Sequence, residues 1–305
     1  MDGKRGELMA VVEVRNLRKR YGEIVAVDGI DFSVEAGEVF ALLGPNGAGK
    51  TTTVEILEGY RNPDGGSATV LGQDPRTAGP SWRERIGIVL QQSGIEKELT
   101  VREALTRLAR LYRDPADVET TIGRVGLNEK TDARIKTLSG GQRRRVDMAA
   151  AIIGRPEVIF LDEPTTGFDP AARREAWRLV TELTADGATV ILTTHYLDEA
   201  QHLADRVAVI AGGRIVAEGD PSTLGGRQTR VATIRFRTAG QLPESLSHQA
   251  ITRKDGWTEI ASTRPVETLY ALTGWALDNG VPLDGLEMAR PSLEDVYLEL
   301  AGEDG

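Results

Sequence analysis

The stretch VFALLGPNGAGKTTTVEILEG, Val39 to Gly59, constrains what this chain can fold into more than any other. Gly44 to Thr52 fit the spacing G-x-x-x-x-G-K-[ST]; five apolar residues before them predict a buried strand, and the residues after predict a helix from about Gly49 to Glu58. Gly44, Gly47 and Gly49, with Pro45, Asn46 and Ala48 between them, let the backbone wrap tightly enough for its N–H groups to face phosphate oxygens. The positive end of the helix then points at the same oxygens. Lys50 is placed to reach β- and γ-phosphates, Thr51 to ligate Mg²⁺, and Thr52 closes the motif.

A second constraint lies in VIFLDEP, Val158 to Pro164, where Asp162 and Glu163 end a wholly apolar strand. Unpaired acids are costly at a buried strand end, and Mg²⁺ supplies a partner for Asp162. Glu163, one residue on, is suited to orient and deprotonate a water attacking a γ-phosphate.

Around these motifs the chain alternates strands and helices. Short Val-, Ile- and Phe-rich runs before Val39 read as antiparallel strands, and IGIVL at 86–90 as a further strand. From Gln91 to Ala151 the period becomes helical: Thr100 and Glu103 make a capping box, and Val101, Leu105, Leu108 and Tyr112 share a face. Apolar runs at 158–161, 188–192 and 206–210, with a helix near 171–185, complete a mainly parallel sheet whose ligands sit beyond the strands' carboxyl ends. PSTLGGRQ, 221–228, reads as a linker. Beyond it, RVATIRFR and GWTEIAS read as strands, PVETLYALTGWALDNG as an amphipathic helix, and PSLEDVYLEL as a last helix capped by Ser292. Trp257 and Trp275 suit core positions there.

The fold expected is therefore an α/β P-loop domain over 1–225, with an antiparallel β subdomain and a helical subdomain at about 92–151, followed by a small α+β domain over 226–305. With 305 residues, both parts are long enough for a core. No apolar run approaches a membrane span, no secretory signal is evident, and cysteine is absent, so neither a disulfide framework nor a thiolate metal site is available. A cytoplasmic location is the expectation. The net charge of −9 argues against nucleic acid as a bulk partner.

TLSGGQRRRVDMAA, Thr137 to Ala150, is a second glycine-rich helix start able to meet an anion. Its arginines read as a solvated face, with Arg143 pairing Asp147 at i,i+4 and Val146, Ala149, Ala150 and Ile153 buried behind them. Together with the two earlier motifs, TLSGGQ resembles the ATP-binding subunit of ABC transporters over about Val11 to Gly219.

The resemblance implies ATP and Mg²⁺ as ligands and a second copy of the chain as partner, with Ser139, Gly140, Gly141 and Gln142 of one subunit covering ATP on the other's phosphate loop. By the same resemblance Tyr21 stacks on adenine, and Gln91 is the Q-loop glutamine that contacts Mg²⁺, with Gln92 the neighbouring alternative. Asp169 belongs to the D-loop GFD, and His195 is the switch histidine that holds the attacking water. Residues 228–305 resemble the extension of daunorubicin-resistance, drug-exporter subunits. The implied function is an ATPase on the cytoplasmic face of the membrane that powers a separate integral membrane permease. A soluble ABC ATPase acting on nucleic acid or ribosomes is the alternative; the long coiled coil or second ATPase core expected of such proteins is absent from this sequence.

Overall fold

The structure is a computed structural model that describes residues 10–89, 94–224, 231–238, 240–247, 250–253 and 256–289. The chain divides into two compact units, Met1–Pro221 and Ser222–Gly305.

In the first unit, β1 (Ala10–Tyr21) and β2 (Ile24–Glu35) form a hairpin that buries alternate apolar residues, and β3 (Val39–Leu43) is buried throughout. Helix α1 (Lys50–Leu57) follows, then β4 (Gly65–Val70), α2 (Pro80–Arg83) and β5 (Ile86–Val89). The helical segment holds α3 (Val101–Ala109), α4 (Val118–Arg124) and α5 (Gly140–Ile152). Strand and helix then alternate: β6 (Val158–Asp162), α6 (Pro170–Ala185), β7 (Thr189–Thr194), α7 (Leu197–Leu203), β8 (Arg206–Ala211) and β9 (Arg214–Gly219).

These strands make two sheets. β2-β1-β4 is antiparallel; the larger sheet, ordered β5-β6-β7-β3-β8-β9, is parallel except for β9 at its edge. Its central strands are apolar on both faces, as a sheet covered on both sides requires, so β3, β6 and β7 read as continuous hydrophobic runs. Phe40 and Phe160 lie fully buried in the core beside Trp82. Truncating either to alanine is expected to cost about 3–5 kcal/mol, because the cavity left adds to the lost transfer energy. Since β3, β6 and β7 run side by side and parallel, their carboxyl ends bring Gly44, Asp162 and Thr194 to one edge.

The Thr100 capping box is present: the Thr100 hydroxyl accepts from the Glu103 N–H at 3.2 Å, and Glu103 accepts from the Thr100 N–H at 2.9 Å. Helix α3 ends at Ala109, so Tyr112 lies beyond it in a turn, where its ring abuts Gly154.

The second unit is an antiparallel sheet with helices. β10 (Ala232–Arg237), α8 (Glu244–Ser247), β11 (Ala250–Thr252), β12 (Thr258–Ser262), α9 (Pro265–Asn279) and β13 (Asp284–Ala289) give the strand order β11-β12-β10-β13. Its core joins Ile234, Phe236, Leu246, Ile260 and Leu272, with Trp275 packed against it. Trp257 departs from the expected core position. Its ring lies under the guanidinium groups of Arg235 and Arg237, at 4.1 and 4.5 Å, on the sheet face that β10 turns away from the core. The helix expected over PSLEDVYLEL, with its Ser292 cap, falls outside the described residues.

Candidate active site

The phosphate loop connects β3 to α1 and is shaped by contacts only glycine permits. A side-chain carbon at Gly49, whose φ is 107°, would lie 2.2 Å from the Ala26 carbonyl oxygen, and one at Gly44 would lie 2.3 Å from the Ile210 carbonyl oxygen. Pro45, Asn46 and Gly47 are exposed at the tip; Ala48 is buried, and Thr52 is half-buried in the first turn of α1. Lys50 is only 4% exposed, and its Nζ donates to the carbonyls of Gly44 at 2.8 Å and Pro45 at 3.0 Å. Burial pushes its ammonium pKa down, a push that the charges of Glu163 and Asp162 oppose.

Thr51 reaches across to β6, its Oγ1 lying 3.3 and 3.4 Å from the two Asp162 oxygens. Asp162 is 6% exposed, and burial raises its pKa; hydrogen bonds from Thr193 and Thr51 and the charge of Arg144 work the other way. A buried carboxylate beside a threonine hydroxyl is an all-oxygen donor set, the kind that suits a hard cation such as Mg²⁺.

Glu163 sits past the end of β6 with φ 47°, a left-handed conformation that is uncommon outside glycine. Its N–H is held by the Thr193 carbonyl and hydroxyl oxygens, both at 3.1 Å. The side chain is thereby turned toward His195, whose Nδ1 lies 3.1 Å from Oε1, while the Thr166 hydroxyl donates to Oε2 at 3.3 Å. His195 follows β7 and packs its ring 4.1 Å from that of Tyr196. The structure thus gathers Lys50, Thr51, Asp162, Glu163 and His195 at the carboxyl ends of three adjacent strands.

Ser139 to Gln142 lie at a different helix start, and among the described residues no hydrogen bond or ion pair joins them to that cluster. Ser139 caps α5, accepting from the Gln142 N–H at 3.2 Å, and the Gln142 side chain accepts from the Ser139 N–H at 3.0 Å. A side-chain carbon at Gly140 would meet nothing within 4 Å, and one at Gly141 would meet only the edge of Phe168 at 3.9 Å. Asp169 caps α6 through the N–H groups of Ala171 and Ala172, both at 2.9 Å, and the Ala172 bond holds its carboxyl pKa below the usual range. Tyr21 ends β1 and is 39% exposed, with Lys19 and Arg61 over its ring at 5.6 and 5.2 Å. Gln91 and Gln92 fall outside the described residues.

The arginines of α5 correct the sequence reading. Arg143 donates to the Leu138 carbonyl at 2.7 Å, and Arg145 pairs with Glu175 at 2.8 Å. Arg144 is not a surface residue: it is 9% exposed and donates to the carbonyls of Asp162 at 2.6 Å and of Glu163 and Pro164 at 3.2 Å each. Periodicity could have found it, because Arg144, Met148, Ala151 and Ile152 share one face of α5, all buried. Thr193 was also missed; its signal is a pair of threonines closing the apolar run TVILTT.

A phosphate loop after β3 and an acid pair at the end of β6, two parallel strands with β7 between them, and a histidine after β7 beside the second acid, define the P-loop class of nucleotide-binding ATPases. The family described as ABC transporter matches residues 27–166, and the ABC transporter domain-containing protein-like C-terminal domain matches residues 232–292. The chain is 38% identical to daunorubicin resistance ATP-binding protein DrrA3 of Streptomyces coeruleorubidus, covering 96% of each chain. It is 36% identical to Nod factor export ATP-binding protein I of Burkholderia orbicola (strain AU 1054), covering 97% of this chain and 98% of that one. Among solved structures, an ATP-binding subunit of an ABC transporter superposes with TM-score 0.64 at 27% identity, over 70% of this chain and 90% of that one. A dimeric ATP-binding cassette in a post-hydrolysis state with ADP and Pi superposes with TM-score 0.63 at 25% identity, over 68% of this chain and 98% of that one. The chain belongs to the ABC transporter ATP-binding family, whose activity is ATP hydrolysis.

Proposed function

We propose that this chain is the ATP-hydrolysing subunit of an exporter of drug-like or other hydrophobic small molecules, acting at the cytoplasmic face of the membrane on a separate integral membrane permease. Likeness over 96% of both chains to a daunorubicin resistance subunit supports export. Likeness over 97% of the chain to a Nod factor export subunit adds to it, and neither relative suits a soluble ATPase of nucleic acid or ribosomes. Among the described residues no helix is long and apolar enough to cross a membrane, in keeping with a separate permease.

In this reading Gly44 to Thr52 cradle the phosphates of ATP, Lys50 meets the β- and γ-phosphates, and Tyr21 stacks on adenine. Thr51, Asp162 and Gln91 would hold Mg²⁺, which would supply positive charge to offset that of the phosphates. Glu163 takes a proton from the attacking water, which His195 and Gln91 help to place; the γ-phosphate leaves as inorganic phosphate and ADP remains. Ser139, Gly140, Gly141 and Gln142 cover ATP bound by a second copy, with Asp169 beside that interface.

The observation that carries the paired arrangement is Gly140. Among the described residues a side-chain carbon at Gly140 would meet nothing within 4 Å, and Ser139 and Gly140 are exposed, which leaves this capped helix start open to a second copy. The permease docks in a cavity of about 580 Å³ beside α3, with Ile86, Ile88, Leu99, Leu108 and Tyr112 among its walls. Residues 1–225 act as the ATPase domain, with 92–151 its helical subdomain; 226–305 serve as an accessory contact domain. Co-expression with its permease is expected to yield a membrane-bound complex with altered ATPase rate. An ATPase that stays soluble and indifferent to that permease would sink the reading.

A further inference from the structure

Three successive carbonyls at the end of β6, those of Asp162, Glu163 and Pro164, converge on one guanidinium, that of Arg144. Such convergence is demanding, because each carbonyl leaves a sheet strand or tight turn in a different direction and only a planar fork with donors on two edges can meet all three. Nε takes Pro164 while Nη2 takes Asp162 and Glu163. The charge is tolerable at this depth because Asp147, Asp162, Glu163 and Glu199 lie close enough to favour it, against a burial effect that lowers the arginine pKa.

Two further facts give the contact a role beyond filling space. The turn it grips contains Glu163 at φ 47°, a backbone state that persists in a non-glycine residue only when its surroundings over-determine it. The Thr193 bonds hold the N–H side of that residue and Arg144 holds its carbonyl side, so both peptide planes flanking the strained φ and ψ are fixed. Arg144 also stands on α5, little more than one turn from the Ser139 cap, so the turn is tied to the helix whose first residues are exposed.

We propose that Arg144 is a positioning residue for hydrolysis: it fastens the turn carrying Glu163 to the helix that begins at Ser139, and so holds the Glu163 carboxylate at His195. The inference rests on the reading of Glu163 as the base. A group acting this way governs how well the water is placed in the transition state and contributes nothing to nucleotide binding.

The test uses the full chain, with Arg144→Met, which keeps the stem and removes the donors, and Arg144→Lys, which keeps the charge but not the fork. Steady-state phosphate release, ATP binding by titration calorimetry and ATP-driven dimerisation by light scattering are measured, with thermal melts to establish the folded fraction. Expected is a fall in kcat of about tenfold or more for Arg144→Met and a smaller fall for Arg144→Lys, with KM, ATP affinity and dimerisation within about twofold of wild type. An unchanged kcat per folded molecule overturns the proposal, as does a fall matched by an equal loss of ATP binding, which a merely structural role would give. If Arg144→Met does not fold, Arg144→Lys decides by the same split. Glu163→Gln separates the layers: wild-type turnover in that variant ends the reading of the base, whereas normal Arg144 variants beside an inert Glu163→Gln end only this inference.

Discussion

Nδ1 of His195 stands 3.1 Å from Oε1 of Glu163, so the residues just past the ends of β7 and β6 are joined side chain to side chain. A carboxylate so held is aimed, and aim is what a base for water needs. Glu163→Gln keeps the shape and removes the basicity. Phosphate release from it is expected to fall by about 10²–10⁴-fold while ATP binding persists, and ATP-bound dimers are expected to accumulate on gel filtration.

Lys50 and Gly140 are expected to separate binding from turnover. Lys50→Ala removes the cation next to the phosphates and should weaken ATP affinity in calorimetry by about tenfold or more. Gly140→Asp sits at the first position of a capped helix, where an acid suits the dipole and space is free, so the fold should be kept. Monomer affinity for ATP should then stay near wild type while dimerisation and turnover are lost. A Gly140→Asp protein that dimerises on ATP would remove the case for a shared site.

Glu58 caps the end of α1 at the edge of the cavity beside α3, and its carboxyl is pushed up to about 8 by burial first, then by Asp162 and Glu55. Unfolded, its pKa is near 4.5. Between these values the folded chain binds more protons, so stability falls as pH rises from about 5 to 8, by a few kcal/mol at the order-of-magnitude level. Glu58→Gln should flatten that decline, giving a higher Tm than wild type at pH 8.5 and a smaller difference at pH 5; parallel melting curves across the range would refute it.

Thr193→Val is nearly isosteric and deletes the hydroxyl donated to Asp162, leaving the Thr193 carbonyl to hold the Glu163 N–H. Leaving a buried carboxylate short of one donor should cost about 1–3 kcal/mol in chemical denaturation. Activity should also need more Mg²⁺, read as a rightward shift in a titration of rate against the ion.

The sheet and phosphate loop were legible because they rest on local rules. Apolar runs give β3, β6 and β7, and the glycine spacing gives the turn between β3 and α1, in agreement with the strands and helix observed. Arg144 was misread for the opposite reason. Its partners are main-chain carbonyls about twenty residues away, and carbonyls leave no trace in residue identity. Charge made it look like surface, yet its place on the α5 helical wheel put it inside. Trp257 failed similarly: size and apolarity suggested core, whereas two arginines on β10 supply a partner on the outer face. β11 and β13 were not foreseen, since three residues in one and a wholly exposed edge in the other give too little alternation to read.

The Lys50 ammonium is engaged by the Gly44 and Pro45 carbonyls of its own loop. These bonds help hold the loop in its wrapped shape, and a ligand oxygen that meets the ammonium exchanges with two neutral carbonyls. Exchange of this kind gives little net gain to a weakly charged visitor and a large one to a polyphosphate. The two carbonyls thus act as a threshold, favouring nucleotides that extend at least to a second phosphate over the monophosphates and nucleosides that share the same base.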